Sequence, residues 1–170
     1  PGLDAYLAPE DRYTTNEKRE VNYQPNTRLV LLAQNYKGYQ NLCQLSSIAY
    51  KEGFYYKPRI DWQALQDFGD DVIALTGGIS GDVASHFRRN GIEAARERLQ
   101  KLQGIFGDRL YLELNRTGIT EWDEVEPALF ELSKSEGVPL LAANDVYYLN
   151  KEDQLAQEVL ICIGSNKTLH

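Results

Sequence analysis

The chain has 170 residues, a length that suits one domain with a buried core. Hydrophobic residues make up 42% of it and charged residues 25%, proportions that exclude a largely disordered chain. The formal net charge of −7 argues against direct nucleic-acid binding, because surfaces that bind nucleic acid need clustered Lys and Arg.

The first predicted element is a strand from Gly2 to Leu7. Polar residues and turn formers then fill Pro9 to Asn26, which predicts a long exposed connection. A second strand is predicted over Thr27 to Ala33. The helix expected after it carries apolar residues on one side, at Tyr39, Leu42, Leu45, Ile48 and Ala49.

The pattern of a strand followed by a helix returns three times, with strands over Val72 to Leu75, Arg109 to Leu114 and Val138 to Ala143. Helices are expected after Gly81 and at three later apolar stripes: Ile92, Ala95, Leu99, Leu102 and Phe106; Trp122, Val125, Leu129 and Leu132; Leu155, Val159 and Ile163. Four consecutive βα units predict an α/β fold with a parallel sheet, either open or closed into a barrel.

Helix ends give local support to these assignments. Thr120 and Asn150 each precede an acidic residue by three positions, which predicts that both side chains cap the helices that follow. Gly137 is the expected stop of the helix before it.

Sites on parallel sheets form beyond the carboxyl ends of the strands. Asp4 lies in the first strand, Glu113 in the third βα strand, and Asp145 follows the fourth. Strand alternation places Glu113 and Asn115 on the face opposite three leucines, which is the inward face of a barrel. An acid there is a candidate metal ligand or general base, and an acid bonded to a neighbouring Arg or Lys is the structural alternative.

Three other features have a structural and a functional interpretation. The glycines of LTGGISGD favour a tight turn over a phosphate loop, because their spacing matches no phosphate-binding motif. Lys57 and Arg59, beside three aromatic residues, favour a packed loop over a grip on single-stranded nucleic acid. The two histidines, His86 and His170, are too few for a multinuclear metal site, and His86 is expected to be structural.

The cysteines, Cys43 and Cys162, lie far apart in a sequence without a run of about 18 apolar residues. This predicts a cytoplasmic protein with no membrane contact, in which each thiol is a small buried side chain. The sequence contains no methionine and opens within a predicted strand, so we expect the chain to be an excised segment.

Five motifs, in order, resemble landmarks of the PHP domain of bacterial DNA polymerase III α subunits. They are GFYYKPRID, LTGGISGDV, YLELNRTGI, PLLAANDVYYLNKED and AQEVLICIGSNKTL, within the stretch from Arg28 to Leu169. The resemblance implies part of a distorted (β/α)7 barrel with parallel strands, lacking its first strand or strands. Residues 1–170 would form a single partial domain, with a strand and connection over 1–26 and consecutive βα units over 27–170.

Metal-bearing relatives imply a set of ligands that this sequence keeps only in part. Their first strand carries a His-x-His pair, which would precede Pro1. Asp4 stands where they have Glu, Thr117 where they have His, and Tyr147 follows a retained Asp145 where they again have His. The resemblance therefore implies that Asp4 and Asp145 are vestigial metal ligands and that this segment has no catalytic residues. No cofactor is expected.

The function implied is that of a noncatalytic structural and docking module of a replicative DNA polymerase. Its expected partners are the rest of the α subunit and the proofreading exonuclease subunit, with DNA contacted by other domains. The alternative is a metal-dependent phosphoesterase or 3′–5′ exonuclease that uses Zn or Mn; a small-molecule enzyme is a third reading. Unpaired edges of an incomplete barrel also predict self-association.

Overall fold

The computed structural model describes residues 1–15 and 25–169. Its strands are β1 (Gly2–Leu7), β2 (Thr27–Ala33), β3 (Phe54–Tyr55), β4 (Lys57–Ile60), β5 (Val72–Leu75), β6 (Leu110–Leu114) and β7 (Leu140–Ala142). Its α-helices are α1 (Tyr36–Lys51), α2 (Trp62–Phe68), α3 (Asp82–Asn90), α4 (Ile92–Phe106), α5 (Glu121–Glu136) and α6 (Gln154–Ser165). The strands form one sheet in the order β3-β4-β1-β2-β5-β6-β7.

The predicted α/β fold is confirmed, and five of the seven described strands run in the same direction. β5, β6 and β7 are parallel neighbours, and β1 is parallel to β4. The parallel direction expected of β2 is wrong, because β2 runs antiparallel to both β1 and β5. Two consecutive strands can run parallel only if a crossover, usually a helix, connects them. No such helix was predicted between β1 and β2.

Helices α1, α3, α4 and α5 pack against one face of the sheet, and strand alternation decides which side chains lie there. In β2, Leu29 and Leu31 are fully buried and join the main hydrophobic core, which α1, α4 and α5 complete. Arg28 and Val30 point to the opposite face and are partly exposed. This opposite face holds the candidate site described below.

The GFYYKPRID segment forms a hairpin of β3 and β4 rather than a loop. Arg59 in β4 is buried, and its guanidinium donates to the backbone carbonyls of Gly53, Arg12 and Thr14, each at 2.9 Å. The ammonium of Lys57 lies 5.4 Å from the centre of the Tyr6 ring. Both cations therefore make contacts within the fold, in agreement with the prediction of a packed segment rather than a site for single-stranded nucleic acid.

The start of the predicted exposed connection is held by Asp61, the residue that caps α2, a helix that the sequence did not predict. The Asp61 carboxylate accepts from the Ala64 N–H at the start of α2, at 2.9 Å, and also binds the Arg12 guanidinium at 2.9 Å. Arg12 is thus tied down within a stretch that was expected to be exposed. The rest of the predicted connection, over 16–24, lies outside the described residues.

The glycine turn between β5 and α3 is tight, as predicted. Gly77 has φ 79°, a left-handed conformation that suits glycine, and a 3-10 turn follows over Gly78–Ser80. A Cβ on Gly81 would lie 1.7 Å from the Thr76 carbonyl oxygen, so the chain packs against itself here. This close packing accounts for the glycines without a bound phosphate.

Asp82, which begins α3, is fully buried and fixes the turn to the rest of the fold. Its carboxylate accepts from the Thr27 hydroxyl at 2.7 Å and from Arg98 Nε and Nη2 at 2.7 and 3.0 Å. His86 packs behind it, with Nδ1 2.8 Å from the Asp82 carbonyl oxygen, which confirms the structural reading of this histidine. Asp82 thereby links β2, α3 and α4.

Several local predictions have mixed outcomes. Asn150 takes part in a capping box with Asp153, and Gly137 ends α5 with a left-handed φ of 71°, both as predicted. Thr120 precedes α5, but its side chain makes no capping hydrogen bond, so that prediction is wrong. It has helical φ and ψ of −62° and −27°, whereas capping side chains work best from an extended backbone.

The prediction of two buried thiols is wrong. Cys43 is exposed, because the buried side of α1 is formed by its neighbours Leu42 and Leu45. Cys162 is half-buried on α6, none of whose side chains is fully buried. No helix in the described part of the chain is both long and apolar enough to cross a bilayer.

We predict that Asp82→Ala lowers the free energy of unfolding by about 3 kcal/mol or more, because it leaves the largely buried Arg98 guanidinium without the carboxylate that it binds. The matched control is Asp67→Ala, which removes an exposed carboxylate bonded to Gln63 and should cost less than about 0.5 kcal/mol. Urea unfolding followed by circular dichroism measures both variants. Equal losses in the two would contradict the structural role given to Asp82.

Candidate functional site

Two carboxylates and one guanidinium lie on the sheet face opposite the helices, and a third carboxylate lies on a loop within electrostatic reach of them. Asp4 comes from β1, Arg28 from β2, Glu113 from β6 and Asp145 from the loop after β7. We call these four residues the carboxylate cluster. The structure thus brings together the three acids that the sequence placed at strand ends, within electrostatic reach of one another.

Arg28 binds Asp4 through both carboxylate oxygens. Nε lies 3.1 Å from Oδ1, and Nη2 lies 2.5 Å from Oδ2. The register of β1 and β2 sets this contact, because Asp4 stands opposite Val30 and Tyr6 opposite Arg28, which makes Asp4 and Arg28 diagonal neighbours. The bond to Asp4 raises the pKa of Arg28, and the nearby charge of Asp145 adds to the effect.

Glu113 is the most buried acid of the cluster, with 6% of its surface exposed. Burial raises the pKa of Glu113, and the nearby charge of Asp145 raises it further. The Gly77 N–H bonds to this carboxylate and, with the charge of Arg28, acts in the opposite direction. Among the described residues, its Oε2 has no hydrogen-bond partner, which is costly for a buried oxygen.

Asn115 lies two residues further along the same side of the chain and shares this property. It is 2% exposed, and its Oδ1 finds no partner in the described part of the protein. Two neighbouring buried acceptors without donors are unusual in folded proteins.

The remaining predicted positions lie outside this arrangement or at its margin. Tyr147 is exposed on the loop after β7, as is Asp145 of the carboxylate cluster. Thr117 is exposed as well, and its neighbour Arg116 bonds to Glu126 at 3.0 and 2.5 Å. His170 falls outside the described residues, so its placement stays untested.

Arg28 is the residue of the site that sequence analysis missed. It appeared there only as the first residue of a matched stretch. The alternation of side chains along β2 predicts part of this arrangement, because it places Arg28 on the face opposite Leu29. What the sequence lacked was the antiparallel direction of β2, which brings this residue beside Asp4.

The residues present do not fit a divalent metal ion as they are arranged. Both oxygens of Asp4 are held by a guanidinium, which would compete with any ion for the same lone pairs. Thr117 and Tyr147 offer hydroxyl oxygens where metal-bearing relatives are expected to have imidazoles. Within residues 1–15 and 25–169, no group of three or more His, Cys, Asp or Glu is placed to hold an ion.

We predict that Glu113→Gln stabilises the chain at neutral pH. The pKa of Glu113 is raised by folding, so the folded protein holds this proton more tightly than the unfolded chain does. The Glu113 side chain therefore stabilises the folded state fully below the ordinary carboxyl pKa of about 4.3. This stabilisation is lost as the pH rises through the higher pKa that Glu113 has in the folded protein. The variant escapes that loss, so its advantage in urea unfolding should grow from about pH 4 to about pH 7.

The matched control for this prediction is Glu126→Gln. The bond to Arg116 lowers the pKa of Glu126, so this acid stabilises the fold above its ordinary pKa and loses that effect as pH falls. Its replacement should therefore reduce stability at neutral pH, the opposite sign. An advantage of Glu113→Gln that is constant across this pH range would contradict the assigned cause.

Comparisons with known proteins identify the family. Residues 2–117 match the PHP domain. The chain is 40% identical to the DNA polymerase III subunit alpha of Aquifex aeolicus over 99% of this chain and 15% of that protein. It is 39% identical to the same subunit of Borreliella burgdorferi, over 96% of this chain and 14% of that protein, and 38% identical to that of Thermus aquaticus, over 99% and 14%.

These findings confirm the resemblance drawn from the five motifs. The chain spans about one-seventh of the length of the curated relatives it matches. Its mixed α/β fold and parallel-rich sheet agree with part of a (β/α) barrel of this kind. The chain belongs to the PHP domain family.

Proposed function

We propose that this chain acts in bacterial DNA replication as the PHP segment of a DNA polymerase III α subunit, in the cytoplasm. One observation carries the proposal: relatives that match it over 96–99% of its length are DNA polymerase III α subunits. DNA synthesis itself belongs to residues outside this segment, since the polymerase aspartates are expected in a later domain. The role of this segment is therefore structural.

The chemistry of the carboxylate cluster supports a noncatalytic role. Metal-dependent phosphoesterases lower the pKa of a metal-bound water to make a nucleophile at neutral pH. Here Arg28 holds the carboxylate of Asp4, one of the two expected vestigial ligands. Tyr147 has a phenol, whose ordinary pKa of about 10 makes it a poor replacement for imidazole at neutral pH. No hydrolytic step is assigned to these residues.

An exposed apolar surface supports a role in assembly. Helix α6 shows five large aliphatic side chains to solvent, at Leu155, Val159, Leu160, Ile161 and Ile163. Exposed apolar patches of this kind commonly mark contacts with other protein surfaces. We propose that α6 packs against a further part of the α subunit, whose relatives extend well beyond the matched region.

The proofreading exonuclease subunit is the proposed external partner. This proposal rests on the family resemblance. The exonuclease would supply the hydrolytic chemistry that the carboxylate cluster lacks. DNA would be held by other domains, in keeping with the net charge of −7 of this chain.

The alternative is a metal-dependent phosphoesterase or 3′–5′ exonuclease using Zn or Mn. The observation that favours it is the unpartnered Oε2 of Glu113, beside the unpartnered Oδ1 of Asn115. Asp145 would then be a ligand that reaches the same place. This candidate needs Arg28 to release Asp4, which the observed bonds oppose.

One preparation of the chain tests both proposals. Purified chain is mixed with the proofreading exonuclease of the same organism and analysed by sedimentation velocity. It is also incubated, alone and with Mn²⁺, with a single-stranded oligonucleotide and a phosphodiester reporter. We expect a saturable complex with the exonuclease and no metal-dependent release of product by the chain.

The outcomes separate the two candidates. Product release that requires Mn²⁺ and is abolished by Asp145→Ala would overturn the noncatalytic role and establish the alternative. Release that Asp145→Ala leaves unchanged would indicate a contaminating nuclease. Failure to bind the exonuclease at tens of micromolar, with an intact fold by circular dichroism, would overturn the docking role.

A further inference from the structure

Aromatic side chains from three segments are exposed around the β3–β4 hairpin. Tyr13 comes from the segment after β1, Tyr50 from the last turn of α1, and Phe54 and Tyr56 from the hairpin. We call these four residues the aromatic surface. The rings of Tyr50 and Phe54 stack, with their centres 6.3 Å apart and their planes 19° apart. Aromatic residues are enriched where proteins bind one another and supply much of the binding energy there.

Tyr56 lies at the tip of the hairpin in a backbone conformation that suits glycine better than tyrosine. Its φ of 57° is left-handed, which is uncommon for a bulky residue. Its side chain is 83% exposed and contacts the Tyr55 ring, with the two centres 4.7 Å apart. The core of the fold therefore gains little from this ring. Strain of this kind is typical of residues that act on something outside the fold.

Hydrogen bonds beneath the hairpin fix the three segments to one another. Arg59 is buried and joins the hairpin to the segment after β1 through backbone carbonyls. The Tyr13 hydroxyl donates to the Glu52 carboxylate at 2.9 Å, and Arg12 Nε donates to the same oxygen at 2.8 Å. The aromatic surface is thus ordered before it binds anything, which lowers the entropic cost of binding.

The exposed charges around the aromatic surface are basic, although the whole chain carries −7. Lys51 and Lys57 are exposed, and the only acid over 50–58 is Glu52, which Arg12 already binds. An acidic partner is therefore complementary to this part of the chain. Two exposed cations are too few to hold the phosphates of single-stranded nucleic acid on a chain of this net charge, so a protein partner is favoured.

We infer that the aromatic surface binds an acidic, proline-containing peptide segment of a partner protein. Neighbouring aromatic rings form the shallow grooves in which extended proline-containing chains dock, because such chains are already ordered when free. Acidic side chains of the peptide would lie against Lys51 and Lys57. The inference rests on the proposed docking role of this chain, but its test uses peptides in place of the exonuclease.

The test is a selection of short random peptides displayed on phage. The library is first depleted on the immobilised Tyr56→Gly variant and then selected on the wild-type chain. Enriched peptides are synthesised, and their dissociation constants are measured by fluorescence anisotropy with the wild-type chain, Tyr56→Gly and Tyr50→Ala. If Tyr56→Gly does not fold, Tyr56→Asn replaces it, because asparagine also tolerates a left-handed backbone.

The matched control is Tyr36→Ala. It removes an exposed tyrosine at the other end of α1, about 21 Å along the helix from Tyr50.

We expect the enriched peptides to contain more Pro, Asp and Glu than the library does. They should bind the wild-type chain at least about tenfold more tightly than Tyr56→Gly or Tyr50→Ala, and Tyr36→Ala should change the dissociation constant by less than about twofold. Added salt should weaken binding, because it screens the contacts with the two lysines. Tyr56→Gly should shift the unfolding midpoint by less than about 2 °C, because its ring adds little to the core.

Any of four results would overturn the inference. They are no enrichment after depletion, enriched peptides that lack acidic residues or proline, equal affinity for the wild-type chain and the two surface variants, and tighter binding of a single-stranded oligothymidylate than of the peptides. The last result would assign the aromatic surface to nucleic acid. The mixing experiment with the exonuclease is decided separately, because it measures a different complex.

Discussion

Antiparallel pairing of β2 with both β1 and β5 determines which side chains meet at the carboxyl edge of the sheet. Because β2 runs against its neighbours, its first residues lie where the parallel strands end. Thr27 and Arg28 are thereby placed among residues that come from β1, β5 and β6. A parallel β2 would have carried Arg28 to the opposite edge, away from Glu113 and Asp145. The direction of one strand thus decides the chemistry of the site.

Two consecutive residues of β2 hold the two faces of the sheet in different ways. Thr27 points to the helices and donates to buried Asp82, which Arg98 also binds. Arg28 points to the other face and binds Asp4. The first contact is part of the core and supports the packing of α3 and α4. The second lies at the surface, where the strength of an ion pair depends on how many charges share it.

Apolar periodicity predicted the elements of this fold well, because it reports which side of each element is buried. β1 and β2 have the predicted bounds, and β5, β6 and the helices after them follow the predicted order. That pattern does not show in which direction a strand runs, because the alternation of side chains between the two faces is the same in either direction. The β3–β4 hairpin was missed because its sequence, GFYYKPRID, mixes charged and aromatic residues around a left-handed Tyr56. The motifs identified the family, whereas the pairing of Arg28 with Asp4 depends on register and needed the structure.

Arg28 occupies both carboxylate oxygens of Asp4, and the carboxylate cluster as it is arranged does not fit a metal ion. The most direct measurement is the metal content of the wild-type chain, free of tags, after equilibration with Mn²⁺ and Zn²⁺ and removal of free ions by gel filtration. Mass spectrometry of the metals against protein concentration gives ions per chain. We expect no stoichiometric Mn or Zn, and one or more tightly held ions per chain would contradict the arrangement described for Asp4 and Arg28.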